Sequence, residues 1–229
     1  MREIILDTET TGLSPTTGDR LVEIGCVELI NHIPSGKTFH VYINPERDMP
    51  KEAEAIHGLS AAFLKDKPLF KSIAEEFLIF VGDAPLIIHN ASFDMGFINA
   101  ELGFIGRAAI PPAQVIDTLP MARRSHPMGP NSLDALCRRY GIDNSKRTKH
   151  GALLDAELLA DIYLELIGGR QTALLLQAQA TTQKVEIQSV RQTTRMRIEV
   201  LASRSTQEES ASHQACIEEL GEKALWNEV

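Results

Sequence analysis

Four carboxylates and one imidazole in the first 155 positions could together cleave a phosphodiester. They are Asp7 and Glu9 in Ile4-Ile5-Leu6-Asp7-Thr8-Glu9-Thr10-Thr11-Gly12, Asp94 in His89-Asn90-Ala91-Ser92-Phe93-Asp94, then His150 and Asp155. Carboxylate oxygens select hard ions such as Mg2+ or Mn2+, and imidazole, which changes charge near neutrality, can take a proton from an attacking water.

Each residue has a plainer reading beside this one. An Asp-x-Glu on a strand sends both side chains to one face, where they could grip a common ion or simply end a solvated strand. Thr10-Thr11-Gly12 follows, and Gly12 would let the backbone approach a ligand closely. Asp94 in the first turn of a helix could serve the helix dipole alone, but the loop after a buried strand is also where open sheets put ligands. Asp155 is the most diagnostic. It shares a helical stripe with Leu158, Leu159, Ile162 and Leu166, and a carboxylate buried there needs a metal or a cationic neighbour. His150 follows the basic run Ser145-Lys146-Arg147-Thr148-Lys149, which reads as a solvated loop.

The elements that must hold these groups can be placed from patterning. Strands are expected at 3–7, 21–30 and 38–43, with turns at 12–18 and 31–36, giving an antiparallel start. Helices follow at 52–57 and 72–81, then a wholly apolar strand at 86–89 of the kind buried on both faces. One further strand at 114–117 and helices at 92–102, 118–125, 131–140 and 152–167 complete a mixed five-stranded α/β sheet flanked by helices. Gly168-Gly169 ends that unit. Residues 177–194, rich in Gln, Thr and Ala, read as a flexible linker. A strand at 197–202 and a helix opened by Ser205 with Glu208 as a capping box and running to about Leu220 would follow.

Composition narrows the function classes. Apolar residues make up 43% and charged residues 24% of the 229, as in a globular protein, and no apolar run is long enough for a bilayer. The acidic start Met1-Arg2-Glu3 argues against an export signal, and three scattered cysteines suit a reducing cytoplasm. Residues 1–170 carry 17 basic against 23 acidic side chains and residues 171–229 carry 6 against 8, for a net −8. Neither half is a basic clamp, so a nucleic-acid substrate would need bound metals and a partner protein.

The five residues in this order resemble the DEDDh branch of the DnaQ-like exonucleases, within the ribonuclease H-like fold. Longer strings, among them Ile56-His57-Gly58-Leu59, Asn131-Ser132-Leu133-Asp134-Ala135-Leu136-Cys137 and Ser145 to Ala156, resemble the proofreading epsilon subunits of bacterial DNA polymerase III. The resemblance covers residues 1–170. It implies removal of 3′-terminal nucleotides from single-stranded or frayed DNA, with two divalent cations, Mg2+ or Mn2+, on Asp7, Glu9, Asp94 and Asp155, and with His150 as general base. Thr10 and Gly12 would approach the terminal nucleotide, and His57 and Phe93 would offer flat faces to its base. More loosely, Gln171, Leu174 and Leu176 in 171–176 are similar to a weak sliding-clamp motif. The segment 195–229, with Leu225 and Trp226, is similar to the part that binds the polymerase catalytic subunit, with room for a further small core subunit. A free RNA-trimming exonuclease of the same fold, and a nuclease-like scaffold without activity, are the competing readings.

Overall fold

The computed structural model describes residues 1–145, 147–168 and 206–220. Strands β1 (Arg2–Thr10) and β2 (Leu21–Ile30), buried along nearly their whole length, pair antiparallel, and β2 pairs antiparallel with β3 (Ile33–Tyr42). The short strands β4 (Leu86–Ile88) and β5 (Val115–Asp117) run parallel to β1 on its other side, giving the order β3-β2-β1-β4-β5. Every residue of β4 is fully buried, as a continuous Leu-Ile-Ile run demands of a strand covered on both faces.

Helices α1 (Lys51–His57), α2 (Ala61–Leu64), α3 (Phe70–Val81) and α4 (Ala91–Phe104) precede β5, and α5 (Thr118–Ser125), α6 (Leu133–Tyr140) and α7 (Ala152–Leu166) follow it. Two apolar layers sandwich the sheet. Ile4 and Leu6 pack with α3 and α4, whereas Ile5 packs with α5, α6 and α7. Successive residues of β1 therefore address opposite faces, and the functional side chains inherit that alternation.

Three local expectations change. The first hairpin turns on Asn31-His32 alone, both with positive φ (52° and 66°), and β3 already begins at Ile33. Pro34 and Gly36 resemble turn residues, yet β3 is a sheet edge, where a missing N–H is tolerated. The four-residue α2, capped by Ser60 accepting from Phe63 N, lies where no helix is expected.

The chain divides into two units, Met1–Leu175 and Leu176–Val229. In the second, α8 (Gln207–Leu220) opens with a capping box one residue later than expected: Glu209 N donates to Thr206 Oγ1 (3.2 Å) and Thr206 N donates to Glu209 Oε2 (2.7 Å). Ser205-x-x-Glu208 and Thr206-x-x-Glu209 have identical spacing, so spacing alone cannot choose between them. Ser205, the strand at 197–202, the linker 177–194, the 171–176 motif, Leu225 and Trp226 lie outside the described residues.

Candidate active site

Strand β1 delivers two acids to one face. Glu3, Ile5, Asp7 and Glu9 alternate toward α7, and the first of them accepts a hydrogen bond from Tyr163 Oη (2.9 Å) on that helix. Thr8, pointing the other way, donates from Oγ1 to Asp94 Oδ1 at 2.6 Å and so ties α4 to the strand. Asp94 is 4% exposed, an acid buried at a helix start that also lies over the sheet. The chain enters α4 through Asn90 in the left-handed region (φ 65°), a conformation that costs a non-glycine residue energy and collects at functional sites.

Helix α7 brings the fourth acid. Gly25 stands opposite Asp7 in the β1–β2 register, and a Cβ there would lie 2.2 Å from Leu153 N and 2.3 Å from Ala152 C. The amino end of α7 therefore rests on bare backbone of β2. That contact carries Asp155, 3% exposed, to the edge of β1. The expected stripe holds: Leu158, Leu159 and Ile162 are buried with Asp155, and Leu166 packs beside them.

The cationic neighbour that a buried Asp155 demands is Arg147. Its Nε donates to Asp155 Oδ1 (2.5 Å), its Nη2 to Asp155 Oδ2 (2.8 Å) and its Nη1 to Asp134 Oδ1 (2.9 Å). With a side chain only 7% exposed, Arg147 is no part of a solvated loop; two carboxylates draw it inward. His150 is different. Its side chain is 46% exposed at the rim, with Nδ1 3.5 Å from Asp155 Oδ2 and 2.8 Å from Arg147 Nη2. A guanidinium only donates, so Nδ1 is the acceptor.

The acids line one cleft of about 370 Å³ with Phe93, Asn90, Arg147 and His150. Oxygens of Glu9 and Asp155 and a nitrogen of His150 lie within 4.8 Å of one another. Asp7 stays partly open to this cleft, but burial, then Asp94, Glu9 and Asp155, holds its carboxyl well above the usual range. Burial first, with Asp155 next, pushes Glu9 to about 8, and burial pushes Asp94 to about 7 against the opposing Thr8 hydrogen bond. Once ionised, the four acids outweigh the one guanidinium and leave a surplus of negative charge. An all-oxygen donor set with that surplus fits hard divalent cations.

A second cleft, about 500 Å³, opens beyond Glu9 and Phe93 and is lined by Thr10, Gly12, Ile56 and His57. Phe93 is half-buried against Phe97, with ring centroids 5.1 Å apart. His57 is buried, accepts from Leu59 N through Nδ1 (3.0 Å), and burial lowers its pKa. It is thus no free platform but a fixed part of the wall. Gly12 has a structural reason as well as access to the cleft. A Cβ there would sit 2.4 Å from the Asp19 carboxylate, so the close approach is to Asp19. Thr10 Oγ1 donates to Gly12 O (2.6 Å) and shapes the same loop.

Reasoning from sequence missed Arg147, Gly25 and Thr8. The first carried a signal, since a buried acid eight residues downstream called for a cation; the other two needed the packing itself.

The Exonuclease family model matches residues 4–163. The chain is 58% identical over 176 residues to the DNA polymerase III subunit epsilon of Rickettsia conorii, spanning 76% of each chain. It is 48% identical over 229 residues to that of Rickettsia typhi (96% of this chain, 97% of the other). The Escherichia coli subunit is 43% identical over 241 aligned positions (98% and 97%). Among solved structures, exonuclease X in complex with 5′ overhanging duplex DNA aligns with a TM-score of 0.58 and 26% identity, over 72% of this chain and 90% of the other. The nuclease domain of 3′hExo, a DEDDh family member, shares the fold at TM-score 0.61 and 18% identity (72% and 91%). The expected ribonuclease H-like fold is the observed one.

Proposed function

Because the chain belongs to the Exonuclease family and, within it, to the DNA polymerase III epsilon subunits, we propose that it proofreads DNA synthesis in the cytoplasm by removing mispaired 3′-terminal nucleotides. The observation that carries this reading is the convergence of Asp7, Glu9, Asp94 and Asp155 from one strand and two helices onto a cleft beside His150. Those four acids would hold two divalent cations, Mg2+ or Mn2+. When bound, the ions polarise the phosphodiester and make water acidic enough to be deprotonated near neutrality.

The chain's own groups do the rest. His150, at the open rim, takes the proton of the attacking water. In the present arrangement its Nδ1 lone pair faces Arg147, so it works as a base only after turning from the guanidinium, and its exposure leaves room for that turn. Thr10, Gly12, His57 and Phe93 bound the space for the terminal nucleotide. Selection needs no reading of base identity, since a mispaired end frays more readily and reaches a single-strand site more often.

The segment 195–229, through Leu225 and Trp226, would bind the polymerase catalytic subunit, and 171–176, through Gln171, Leu174 and Leu176, would touch a sliding clamp weakly. The domain limits 1–170, 171–176, 177–194 and 195–229 are part of the same proposal. Similarity to epsilon subunits along nearly the whole chain supports proofreading over RNA trimming.

Rates on matched, mismatched and RNA 3′ ends test this. Mismatched DNA should be degraded fastest, and a preference for structured RNA would reject the proposal.

A further inference from the structure

The catalytic cleft has a neighbour on each side, one largely apolar and one polar. The cleft beyond Glu9 and Phe93 contains Asp19, Glu52 and Glu9, is closed by α1, and has apolar walls at Leu13, Pro50 and Ile56. Asp19 is paired with Arg47 (2.8 Å), so what sets this cleft apart is its closure by α1, which leaves space for one sugar and base at a chain end. On the opposite side, sharing His89, Asn90 and Ser132 with the catalytic cleft, lies a polar depression of about 520 Å³ with Arg123 on its rim.

This side offers unpaired positive charge at the depression itself. Arg139 reaches Gly129 on its wall, and Asp117 stands beside it, its Oδ1 accepting from Asn90 N (3.0 Å). Arg147 is spent on Asp155 and Asp134. Arg123 is exposed and makes no ion pair or side-chain hydrogen bond among the described residues. The floor beneath it is rigid: the His89 ring is held by Thr118 Oγ1 (2.9 Å) and Asn131 O (2.8 Å).

We propose that this depression, with Arg123 as its cationic anchor, holds the phosphodiester backbone of the substrate strand on the 5′ side of the scissile bond. The inference rests on the exonuclease reading and adds a direction to it. A strand with its 3′ nucleotide in the cleft that α1 closes and its scissile phosphate over the four acids continues across Asn90 into the open depression, where Arg123 is a free cation for its next phosphate. Contacts of this kind fix register without reading sequence, as removal of any mispaired end requires.

The test compares full-length wild type with Arg123→Gln and Arg123→Lys. Binding of a labelled thymidine dinucleotide and octanucleotide is followed by fluorescence anisotropy, and hydrolysis of the p-nitrophenyl ester of thymidine 5′-monophosphate is measured alongside. Arg123→Gln should weaken octanucleotide binding several-fold and reduce the slope of log affinity against log salt by about 0.7, the share of one phosphate on a single strand. Dinucleotide binding and ester hydrolysis should be unchanged, and Arg123→Lys should restore most of the loss. Unchanged octanucleotide binding, or an equal loss on all three probes, overturns the proposal. Absence of ester hydrolysis in the wild type would instead sink the exonuclease reading, while the anisotropy comparison would still decide this one.

Discussion

Replacing Gly25 by Ala tests whether the α7–β2 contact sets the catalytic geometry. The added Cβ would meet Leu153 N at 2.2 Å, Ala152 C at 2.3 Å and Ala152 O at 2.5 Å, all backbone atoms that no rotamer change can move. Reaching ordinary contact requires the amino end of α7 to retreat by about 1 Å, since core atoms pack at van der Waals distance. Asp155 begins the second half-turn after Ala152 and moves with it, while Asp7, opposite Gly25 in the register, stays on β1. A misplacement of about 1 Å in a catalytic constellation costs about 10²-fold in rate, and overpacking of this kind about 1–3 kcal/mol in stability. The assay is release of the 3′-terminal nucleotide from labelled single-stranded DNA, with a thermal melt of the same sample. Gly96→Ala is the control, because a Cβ there meets nothing within 4 Å in mid-α4 and should preserve rate while adding a little stability. A Gly25→Ala protein with wild-type rate and melting temperature would refute the argument that this glycine positions Asp155.

Other perturbations address charge and organisation. Glu9 and Asp94 have folded pKa values of about 8 and about 7, above their ordinary values. The metal-free fold therefore holds protons that the unfolded chain gives up, and the stability this confers is complete at acid pH and lost as pH rises through about 7 to 8. In EDTA the melting temperature should fall from about pH 5.5 to about pH 8.5, and added Mg2+ or Mn2+ should raise it more at the upper end, because cations displace those protons; a flat profile would contradict the buried cluster. Asp155→Asn should abolish nucleotide release and cost about 1–3 kcal/mol of stability, read as a lower melting temperature, since it leaves the buried guanidinium with Asp134 as its remaining carboxylate partner; an active, equally stable variant would refute both roles. Removing 195–229 should eliminate binding to the polymerase catalytic subunit in a pull-down while hydrolysis by the remaining protein persists; lost hydrolysis would mean that the boundary is misdrawn.

Local rules made some of this site legible and packing withheld the rest. Period two puts Asp7 and Glu9 on one face of β1, and period 3.6 puts Asp155 among leucines, so both could be read without a structure. The Leu86-Ile87-Ile88 run announced a central strand because nothing polar interrupts it. Gly25 announced nothing, since a glycine inside a strand states that something comes close without stating what. Pro34 and Gly36 have turn chemistry and make the hairpin turn seem longer than it is; only the edge position of β3 explains why they extend the strand instead. The basic run 145–149 looked solvated because five polar residues carry no inward signal of their own. The inward pull on Arg147 comes from Asp134 and Asp155, each on a separate helix.

Arg147 also bears on how a fold can keep four acids together before any cation arrives. Burying a charge without a partner costs several kcal/mol, and burial holds three of the four acids, Asp7, Glu9 and Asp94, above their ordinary range, which favours their uncharged forms. Asp155 has a different answer, a bidentate guanidinium that donates to both of its oxygens. The protein thus assembles its donor set with one internal cation and a few retained protons. All of these sit where divalent ions would later compensate the same carboxylates. Affinity for those ions is then measured against protons and Arg147 rather than against bare anions, so binding is set by exchange. Divalent ions at such a site would displace protons, so their affinity should rise with pH across the range in which Glu9 and Asp94 ionise, about 7 to 8.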